Sequence, residues 1–573
     1  MSVAGILNLV AGPIRTMNDS RVTLPAVFCV ASTIACGGTS NMTPAGPLSR
    51  AEQTAFEETS RYQDVRTFID ALSRETSRVR VETFGRSEEG RDLPLLIIGD
   101  PPIAAPAQSP HSLPVVFVMA NIHAGEVEGK EAVLHLARRM TTGNLQGFLK
   151  SAVWLLAPIY NADGNERISL DNRTEQNGPI GGVGTRENAN GLDLNRDFIK
   201  LESAEARALV ALLTRWDPDV IVDLHTTNGS YHGYHLTYAP PLNPNTDARI
   251  SAFERERLLP AVREAMQALH GWRTYDYGNF ATMDAIEEEL EGFAPGETRQ
   301  KVWRTYDARP RFGGNYAGLR NRIAILSEAY SYLDFERRVK VTEAFVEEIM
   351  KFVTANADEI RSLTARVDAD LVSGSASMEG GVAFTLKPLS NPVDVLVGAV
   401  GGKTNPRSGK TMKTMEDSVT PTSMTVFDGF AVTATRPVPR EYLMQPSDGD
   451  LHLTTARLLK AHGIRVEELA SAGRVTVDRF VIESVNHAER AFQGHRETSV
   501  NGRFERSTVQ MPAGSLVIRT NQPLGRLVFY LLEPESNDGL TTWTVLDEAL
   551  KVRGTHPILK SVPGQNLPTR PWP

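Results

Sequence analysis

Cysteine is almost absent from this chain of 573 residues, in which Cys29 and Cys36 both lie near the N-terminus. This scarcity excludes a scaffold built on disulfides, and it excludes a cysteine nucleophile in the body of the chain. The sequence also has no Gly-x-Ser-x-Gly motif. That absence argues against a serine hydrolase with a nucleophile elbow.

An excess of basic residues is lacking as well. Lys and Arg together number 61 against 69 Asp and Glu, which gives a formal charge of −8. This balance argues against a general binder of nucleic acid or of acidic membranes. Two short segments, 402–404 and 409–411, read Gly-Lys-Thr, but no glycine stands five residues before either Gly-Lys pair. Neither segment has the strand-to-helix context of a phosphate loop, so nucleotide binding is not expected.

The composition is that of a globular protein, since 41% of the residues are hydrophobic and 23% are charged. A chain of this length predicts two or three folded units. We divide it into a signal segment (1–36), a tether (37–48), a first domain in which apolar runs alternate with amphipathic segments (49–366), and a mostly β accessory domain (367–573). The alternation in the first domain predicts an α/β fold.

The N-terminal segment is typical of a targeting signal. Val22–Ala35 is an apolar run of 14 residues, preceded by Arg15 and followed by Cys36. Such a run is short for a membrane span and suits the apolar region of a signal peptide. The segment resembles a bacterial lipoprotein signal, in which the cysteine is lipidated and becomes the mature N-terminus. We therefore expect export to the periplasm or cell envelope, with attachment to the membrane through Cys36; a plain secretory signal is the alternative, and Met17 is a candidate start.

The first domain contains four continuous apolar runs that predict strands buried on both faces. They are Leu113–Ala120, Val153–Tyr160, Asp219–Leu224 and Arg322–Leu326. Helical spacing of apolar residues predicts helices over Gly129–Met140, Ser203–Trp216, Ala252–His270 and Val339–Ala355. Beyond residue 367, short β-like runs separated by Gly, Pro, Asn and Ser predict strands, the last of them Arg-Leu-Val-Phe-Tyr-Leu-Leu at 526–532.

Residues capable of catalysis follow these predicted strands. The first run leads into His123-Ala-Gly-Glu126, the second into Asn-Ala-Asp-Gly, the third ends at His225, and the fourth ends at Ser-Glu328. Ligand sites in open α/β sheets form in the crevice beyond the carboxyl ends of the strands. Four strand ends that carry His, Glu, Asn and Asp therefore predict a functional site at this edge.

The spacing of His123 and Glu126 lets both side chains face one ion from a tight turn or a first helical turn. A third ligand must come from elsewhere, and His225 is the leading candidate, with His232 and His235 as alternatives. Two imidazoles and one carboxylate leave a coordination position of zinc open for water, as catalytic sites require. Zinc lowers the pKa of bound water to about 7. Glu328 is then the expected general base that accepts a proton from this water.

Four separated motifs in this order resemble the zinc carboxypeptidase (M14) family, in a bacterial exported branch. They are His123-Ala-Gly-Glu126, Leu-Asn195-Arg196-Asp, Asp-Leu-His225 and Leu-Ser-Glu328. The resemblance covers most of residues 50–365 and is weaker over the last 200 residues. It implies a mixed central sheet flanked by helices, one zinc ion held by His123, Glu126 and His225, and Glu328 as the catalytic glutamate.

The same resemblance implies how substrate is bound. Asn195 and Arg196 match the pair that grips the terminal carboxylate of a substrate, and a guanidinium can hold a carboxylate through two hydrogen bonds. A salt bridge from Arg196 to Asp193 or Asp197 is the structural alternative. The family also uses an arginine to polarise the scissile carbonyl. Arg173 is our first choice for that role, with Arg167 and Arg186 open.

The resemblance also implies a tyrosine that caps the substrate. We expect it between His225 and Glu328, with Tyr316 preferred over Tyr306. The resulting hypothesis is a zinc peptidase that hydrolyses an amide bond near a free carboxylate of a peptide or amino-acid-derived substrate. Two alternatives stay open: a zinc-dependent deacylase of small amino-acid derivatives, and a non-catalytic binding protein of the cell surface.

Overall fold

The computed structural model describes residues 46–108, 113–227, 229–283, 301–374, 379–447 and 449–573. The described residues belong to one compact unit, Pro44–Pro573. The predicted signal segment, Cys36 and most of the tether lie outside the described residues. The boundary expected after residue 366 stays a prediction, because no feature of the compact unit tests it.

The strands are numbered in chain order. They are β1 (Val79–Arg86), β2 (Asp92–Ile98), β3 (Val115–Ala120), β4 (Val153–Ala157), β5 (Val220–Thr227), β6 (Leu236–Ala239), β7 (Thr274–Asp276), β8 (Asn279–Thr282), β9 (Lys301–Arg304), β10 (Ile323–Tyr330), β11 (Glu379–Pro388), β12 (Val393–Thr404), β13 (Thr411–Met424), β14 (Val426–Pro437), β15 (Glu441–Met444), β16 (Glu467–Leu469), β17 (Gly473–His487), β18 (Thr498–Met511), β19 (Leu516–Arg519), β20 (Thr555–Ser561) and β21 (Thr569–Pro571).

The helices are numbered in the same way. They are α1 (Arg50–Gln53), α2 (Tyr62–Glu75), α3 (Glu128–Thr141), α4 (Ala162–Glu166), α5 (Ala204–Trp216), α6 (Ala248–Phe253), α7 (Leu259–His270), α8 (Gly313–Leu319), α9 (Phe335–Ala355), α10 (Ala357–Ser373), α11 (Leu451–Ala461) and α12 (Gly525–Leu532). None of these described helices is both long enough and apolar enough to cross a membrane.

The central sheet is mixed, as the sequence predicts. Its strand order is β1-β2-β4-β3-β5-β10-β6-β7. The four strands predicted from apolar runs lie side by side in its middle as β4, β3, β5 and β10, and neighbouring members pair in parallel. Their side chains are almost entirely buried. Since parallel strands end at the same edge, the motifs that follow them meet there.

The predicted helices are present. The segment expected as one helix over Ala252–His270 comprises α6, a π-helical turn at Glu254–Leu258, and α7. The helix α7 has a proline in its first turn and ends at Gly271, whose φ of 70° is left-handed. Glu254 is buried beneath this segment and accepts a hydrogen bond from the backbone N–H of Ala324 at 2.7 Å. This contact ties the helical segment to the strand that carries Glu328.

The C-terminal region is rich in strands, in agreement with the prediction. It contains a sheet of order β18-β17-β20-β15-β19-β16-β21 and a two-stranded arm formed by β12 and β13. Its strand β14 also pairs in parallel with β9, through Val426 and Trp303. The C-terminal region therefore shares a sheet with the segment that precedes α8.

One predicted strand is wrong. The run of apolar residues at 526–532 lies in the helix α12, and its hydrophobic side chains are buried, with Phe529 only 2% exposed. A short apolar run has the same appearance in a buried helix and in a buried strand, so its periodicity does not separate the two. The packing of Phe529 against the backbone of Gly380 shows how closely α12 and β11 approach, since a Cβ on that glycine would lie 2.2 Å from the ring.

Candidate active site

A cavity of about 510 Å³ opens where β3, β5 and β10 end. His123, Glu126, His225 and Glu328 line it, together with the guanidinium-bearing residues Arg173, Arg186 and Arg196. The four sequence motifs therefore meet in one cavity.

Three side chains meet at the carboxyl ends of the parallel strands β3 and β5: those of His123, Glu126 and His225. His123 follows β3, and the backbone N–H of Glu126 donates to the carbonyl of His123 at 2.9 Å, which closes a tight turn. His225 lies within β5. The Nδ1 atoms of His123 and His225 lie 3.0 and 2.9 Å from the two carboxylate oxygens of Glu126. All three side chains are buried.

This cluster has the donors that zinc prefers. One ligand atom from each of the three residues lies within 4.8 Å of the other two. Ligands at about 2.0–2.1 Å from a tetrahedral ion stand roughly 3.3 Å apart, so small rotations of the side chains suffice to bind one. The residues present therefore fit a zinc ion with an open coordination position.

The outer nitrogen of each imidazole faces a carboxylate. His123 Nε2 lies 3.1 Å from Asp193 Oδ1, and His225 Nε2 lies 2.8 Å from Asp223 Oδ2. The hydrogen bond with Asp193 holds the ring of His123 in the orientation and tautomer in which Nδ1 is free to bind a metal, whereas Asp223 approaches His225 as a charge partner without hydrogen-bond geometry. The backbone N–H of Asp193 in turn donates to the side-chain oxygen of Gln493 at 2.9 Å, across 300 positions of sequence. The motifs did not predict that Asp223 and Gln493 support the histidines; for Asp223, which belongs to the Asp-Leu-His225 motif, the signal is its position two residues before His225, on the same face of β5.

Burial and neighbouring charges set the ionisation of the acidic residues. Burial opposes ionisation of Glu126, but the charges of His123 and Arg173 outweigh it and hold the pKa of Glu126 well below its usual value. Burial raises the pKa of Glu328 to about 8, partly offset by His225. Glu328 pairs in register with His225 across β10 and β5. A carboxyl group with a raised pKa beside a cation site is suited to exchange protons near neutral pH.

Asn195 and Arg196 lie on a short helical turn and line the cavity. The side-chain oxygen of Asn195 accepts from the backbone N–H of Gly313 at 2.9 Å. The guanidinium carbon of Arg196 stands 3.8 Å from the centre of the Phe312 ring, and its nearest carboxylate, Asp193, is 3.9 Å away. The alternative salt bridge to Asp197 is not formed, because Asp197 binds Lys200 at 2.8 Å.

Two of the three candidate arginines reach the cavity. Arg173 Nη2 donates to Glu126 Oε1 at 2.6 Å, and Arg186 donates through Nε to Asp193 at 2.9 Å. Arg167 does not line the cavity; its guanidinium is 45% exposed and pairs with Glu89. Gly125 gives Arg173 its space, because a Cβ at that position would lie 2.7 Å from Arg173 Nε.

The structure corrects the position expected for Tyr316. This residue is fully buried in α8, where its hydroxyl group contacts His462 Nδ1 at 2.8 Å, and it does not line the cavity. The helical turn points its ring into the core, a direction that the sequence motif does not reveal. Tyr306 and Tyr277 line the cavity instead, with ring centres 5.6 Å apart. Tyr277 was missed because no motif surrounds it.

The alternative metal ligands are placed elsewhere. His232 packs against Tyr330, with ring centres 4.1 Å apart, and His235 packs against Trp272. Burial lowers the pKa of His232 to about 3 and that of His235 to about 4. In the part of the chain that the structure describes, neither residue belongs to the cluster of metal-binding side chains.

Comparison with known proteins agrees with this site. A family model described as zinc carboxypeptidase matches residues 65–315, a range that includes His123, Glu126 and His225. The chain is 23% identical to carboxypeptidase 2 of Trichophyton tonsurans over 557 residues, which cover 94% of this chain and 91% of the relative. It is also 32% identical to carboxypeptidase Z of Mus musculus over 154 residues, or 26% of this chain and 22% of that protein. Residues 65–315 are thus similar to the zinc carboxypeptidase family, and this match indicates a hydrolase of the metallocarboxypeptidase class.

Solved structures with partial similarity carry related descriptions. A metallo-carboxypeptidase from Pseudomonas aeruginosa is 19% identical, with a TM-score of 0.35 over 52% of this chain and 69% of that chain. A carboxypeptidase A from Helicoverpa armigera is 14% identical, with a TM-score of 0.37 over 52% of this chain and 75% of that chain.

We expect Asp193→Asn to weaken zinc binding 10- to 100-fold, because the amide no longer fixes the ring of His123 as the carboxylate does. Competition with a fluorescent chelator measures the dissociation constant. Asp478→Asn alters a half-buried carboxylate that pairs with Arg506 in the C-terminal sheet; it is the matched control and should keep the affinity of the unmodified protein. An unchanged affinity in Asp193→Asn would contradict the role assigned to this contact.

Proposed function

We propose that this protein is an exported zinc carboxypeptidase that removes the terminal residue of peptides. In this proposal His123, Glu126 and His225 hold one zinc ion, Glu328 is the general base, and Asn195 and Arg196 bind the terminal carboxylate. The observation that carries it is the convergence of the cation cluster, Glu328 and Arg196 in one cavity. When bound, zinc polarises the scissile carbonyl and activates water for attack.

Glu328 moves the proton in this scheme. Its carboxylate accepts a proton from the attacking water and delivers it to the leaving amine. The raised pKa of about 8 favours both halves of that exchange, because a base whose pKa lies near the working pH both accepts and returns a proton readily.

Two guanidiniums are available to stabilise the developing negative charge on the carbonyl oxygen. Arg173 and Arg186 flank Glu126, at 2.6 and 3.9 Å from its Oε1. We propose that they share this role, since each keeps N–H groups beyond those used on Glu126 and Asp193. Donors fixed before the reaction stabilise such a charge without reorganisation. Tyr277 and Tyr306 are the candidates for capping the substrate, in place of Tyr316.

Arg196 supports the proposed preference of the enzyme for the carboxyl ends of peptide chains. Its guanidinium is largely buried and is held over Phe312, while its nearest carboxylate is 3.9 Å away, so its hydrogen-bonding edge is not saturated by a close salt bridge. A planar guanidinium pairs with a carboxylate through two parallel hydrogen bonds. An internal peptide bond offers no such group and is therefore excluded.

The floor of the cavity favours a large apolar side chain. Strand register places the lining in layers below Glu328 and His225: first Leu326 and Met119, then Ala324, Ile221 and Phe117. At about 3.3 Å per residue, Ala324 lies about 13 Å along β10 from Glu328. Phe198, Leu209, Leu213 and Ala317 form the facing wall. Asp223 lies at the middle level, where its Oδ2 pairs with His225 at 2.8 Å and its Oδ1 has no hydrogen-bond partner among the described residues.

Export and anchoring are part of the proposal. The apolar run Val22–Ala35 before Cys36 supports a lipidated N-terminus at the cell envelope. Peptides with free carboxyl ends are the proposed substrates there. The deacylase alternative keeps the same site and differs in substrate, and tests with N-acyl amino acids separate the two.

Glu328→Gln should lower kcat at least 1,000-fold while zinc stays bound, because the amide cannot accept the proton of water. Turnover of a blocked dipeptide and zinc content by atomic absorption are measured on the same sample. Glu205→Gln, a buried carboxyl outside the cavity, is the matched control. If Glu328→Gln keeps the kcat of the unmodified enzyme, the proposed mechanism is wrong.

Arg196→Ala should raise KM for peptides with a free terminal carboxylate by about 100-fold, which corresponds to the loss of a charge-assisted pair. The same variant should treat a free carboxyl end and its amidated counterpart alike, whereas the unmodified enzyme hydrolyses only the former. Activity against N-acyl amino acids is measured in parallel. Equal hydrolysis of acid and amide by the unmodified enzyme would exclude a carboxypeptidase.

A terminal phenylalanine should be preferred over a terminal lysine or glutamate by at least 100-fold in kcat/KM, because the cavity floor is apolar. Ala324→Leu fills that floor, so it should reduce the rate for terminal phenylalanine tenfold or more and leave terminal alanine unaffected. The kcat/KM of each enzyme is measured with terminal phenylalanine and terminal alanine substrates in parallel. A loss for both substrates would show that the variant acts on the fold and not on this cavity.

A further inference from the structure

The loop that carries Arg173 is strained at that residue. Arg173 has a φ of 46°, in the left-handed region that a residue with a Cβ seldom occupies. Such a backbone persists only where surrounding contacts hold it in place. In this conformation Arg173 Nη2 donates to Glu126 Oε1 at 2.6 Å.

Local hydrogen bonds such as that from Asn172 Nδ2 to the carbonyl of Val183, at 3.0 Å, hold this loop, and further contacts come from far along the chain. We call β12, β13 and their connection, residues 393–424, the arm. Lys410 Nζ lies 2.6 Å from Asp171 Oδ1, two residues before Arg173. Lys413 Nζ lies 2.8 Å from Glu175 Oε2, two residues after it, and the backbone N–H of Lys413 donates to the carbonyl of Glu175 at 2.8 Å. The arm thus contacts the loop on both sides of Arg173.

The arm is itself fastened to the body of the protein. The backbone N–H of Met415 donates to the carbonyl of Tyr332 at 2.7 Å, and that of Gly398 to the carbonyl of Tyr231 at 2.8 Å. The N–H of Gly233 donates to the carbonyl of Leu396, also at 2.8 Å. Gly398 packs against the backbone of His232, which a Cβ would approach to 2.5 Å. The arm is therefore fixed beside β10, so its contacts can restrict the movement of the loop that carries Arg173.

We propose that the arm is a positioning element of the active site, which holds Arg173 against Glu126. The pairing of Lys413 with Glu175 is the main link, because it combines a charge pair with a backbone hydrogen bond, although the Glu175 carboxylate is 60% exposed and solvent weakens the charge pair. Lys410 and Asp171 contribute less, since the Asp171 carboxylate is 79% exposed and solvent screens it. The catalytic consequence rests on the proposed function; the structural one does not.

Charge reversal tests the link. Lys413→Glu and Glu175→Lys each place like charges together, and the double variant restores an opposite pair. In metal-free and zinc-loaded protein, trypsin should cleave after Arg173 at least tenfold faster in each single variant, with recovery in the double variant, as followed by mass spectrometry. Lys403→Glu is the matched control, because it reverses an exposed charge on the same arm. In the part of the chain that the structure describes, Lys403 has no ion-pair partner, so this variant should be cleaved at the rate of the unmodified protein.

Activity and zinc affinity supply the functional readout. Each single variant should lower kcat about tenfold with KM within twofold, and should weaken zinc binding, because Arg173 no longer steadies Glu126. In an Arg173→Ala background, Lys413→Glu should cause no further loss of kcat. The double charge swap should recover kcat and zinc affinity together.

Three results would overturn the proposal: cleavage rates in both single variants that match the unmodified protein, faster cleavage with unchanged kcat and zinc affinity, or no recovery in the double variant. A protein that hydrolyses no peptide but shows the expected cleavage and zinc-binding changes would contradict the proposed function and leave the positioning role supported.

Discussion

The carboxylate of Glu126 is the contact on which the active site depends. Its two oxygens face the Nδ1 atoms of His123 and His225, while Arg173 donates to one of them. A buried carboxylate is stable only where cations and donors surround it, and this requirement draws β3, β5 and the loop around residue 173 to one point. The carboxylates behind the imidazoles extend the same network to Asp193 and Asp223.

The C-terminal region contacts this network and the strands beside it. Its strand β14 pairs with β9, Gln493 accepts from the backbone of Asp193, and Lys413 holds the loop that carries Arg173. These contacts join segments that lie hundreds of residues apart. The family match stops at residue 315, whereas the alignment with carboxypeptidase 2 of Trichophyton tonsurans covers 94% of the chain.

Much of the fold could be predicted from local patterns. The four buried strands were found because strands covered on both faces are continuously apolar, and the cluster at their ends was found because parallel strands deliver their last residues to one edge. The run at 526–532 was misassigned because a short apolar segment has no period of its own. Tyr316 was misplaced for a similar reason: which face of a short helical turn meets the core depends on packing, here on His462, which lies 146 residues away.

The amino-acid sequence by itself determined the chemistry of this protein: which side chains can bind zinc, which carboxyl group can move a proton, and which guanidiniums can bind an anion. Those properties belong to residue types and to short spacings, so they are visible without coordinates. Only the tertiary structure decided which of these groups face one another. It brought Asp223 and Gln493 behind the histidines, turned Tyr277 and Tyr306 into the cavity, and placed the arm against the loop that carries Arg173, because contacts between distant segments depend on how the whole chain packs.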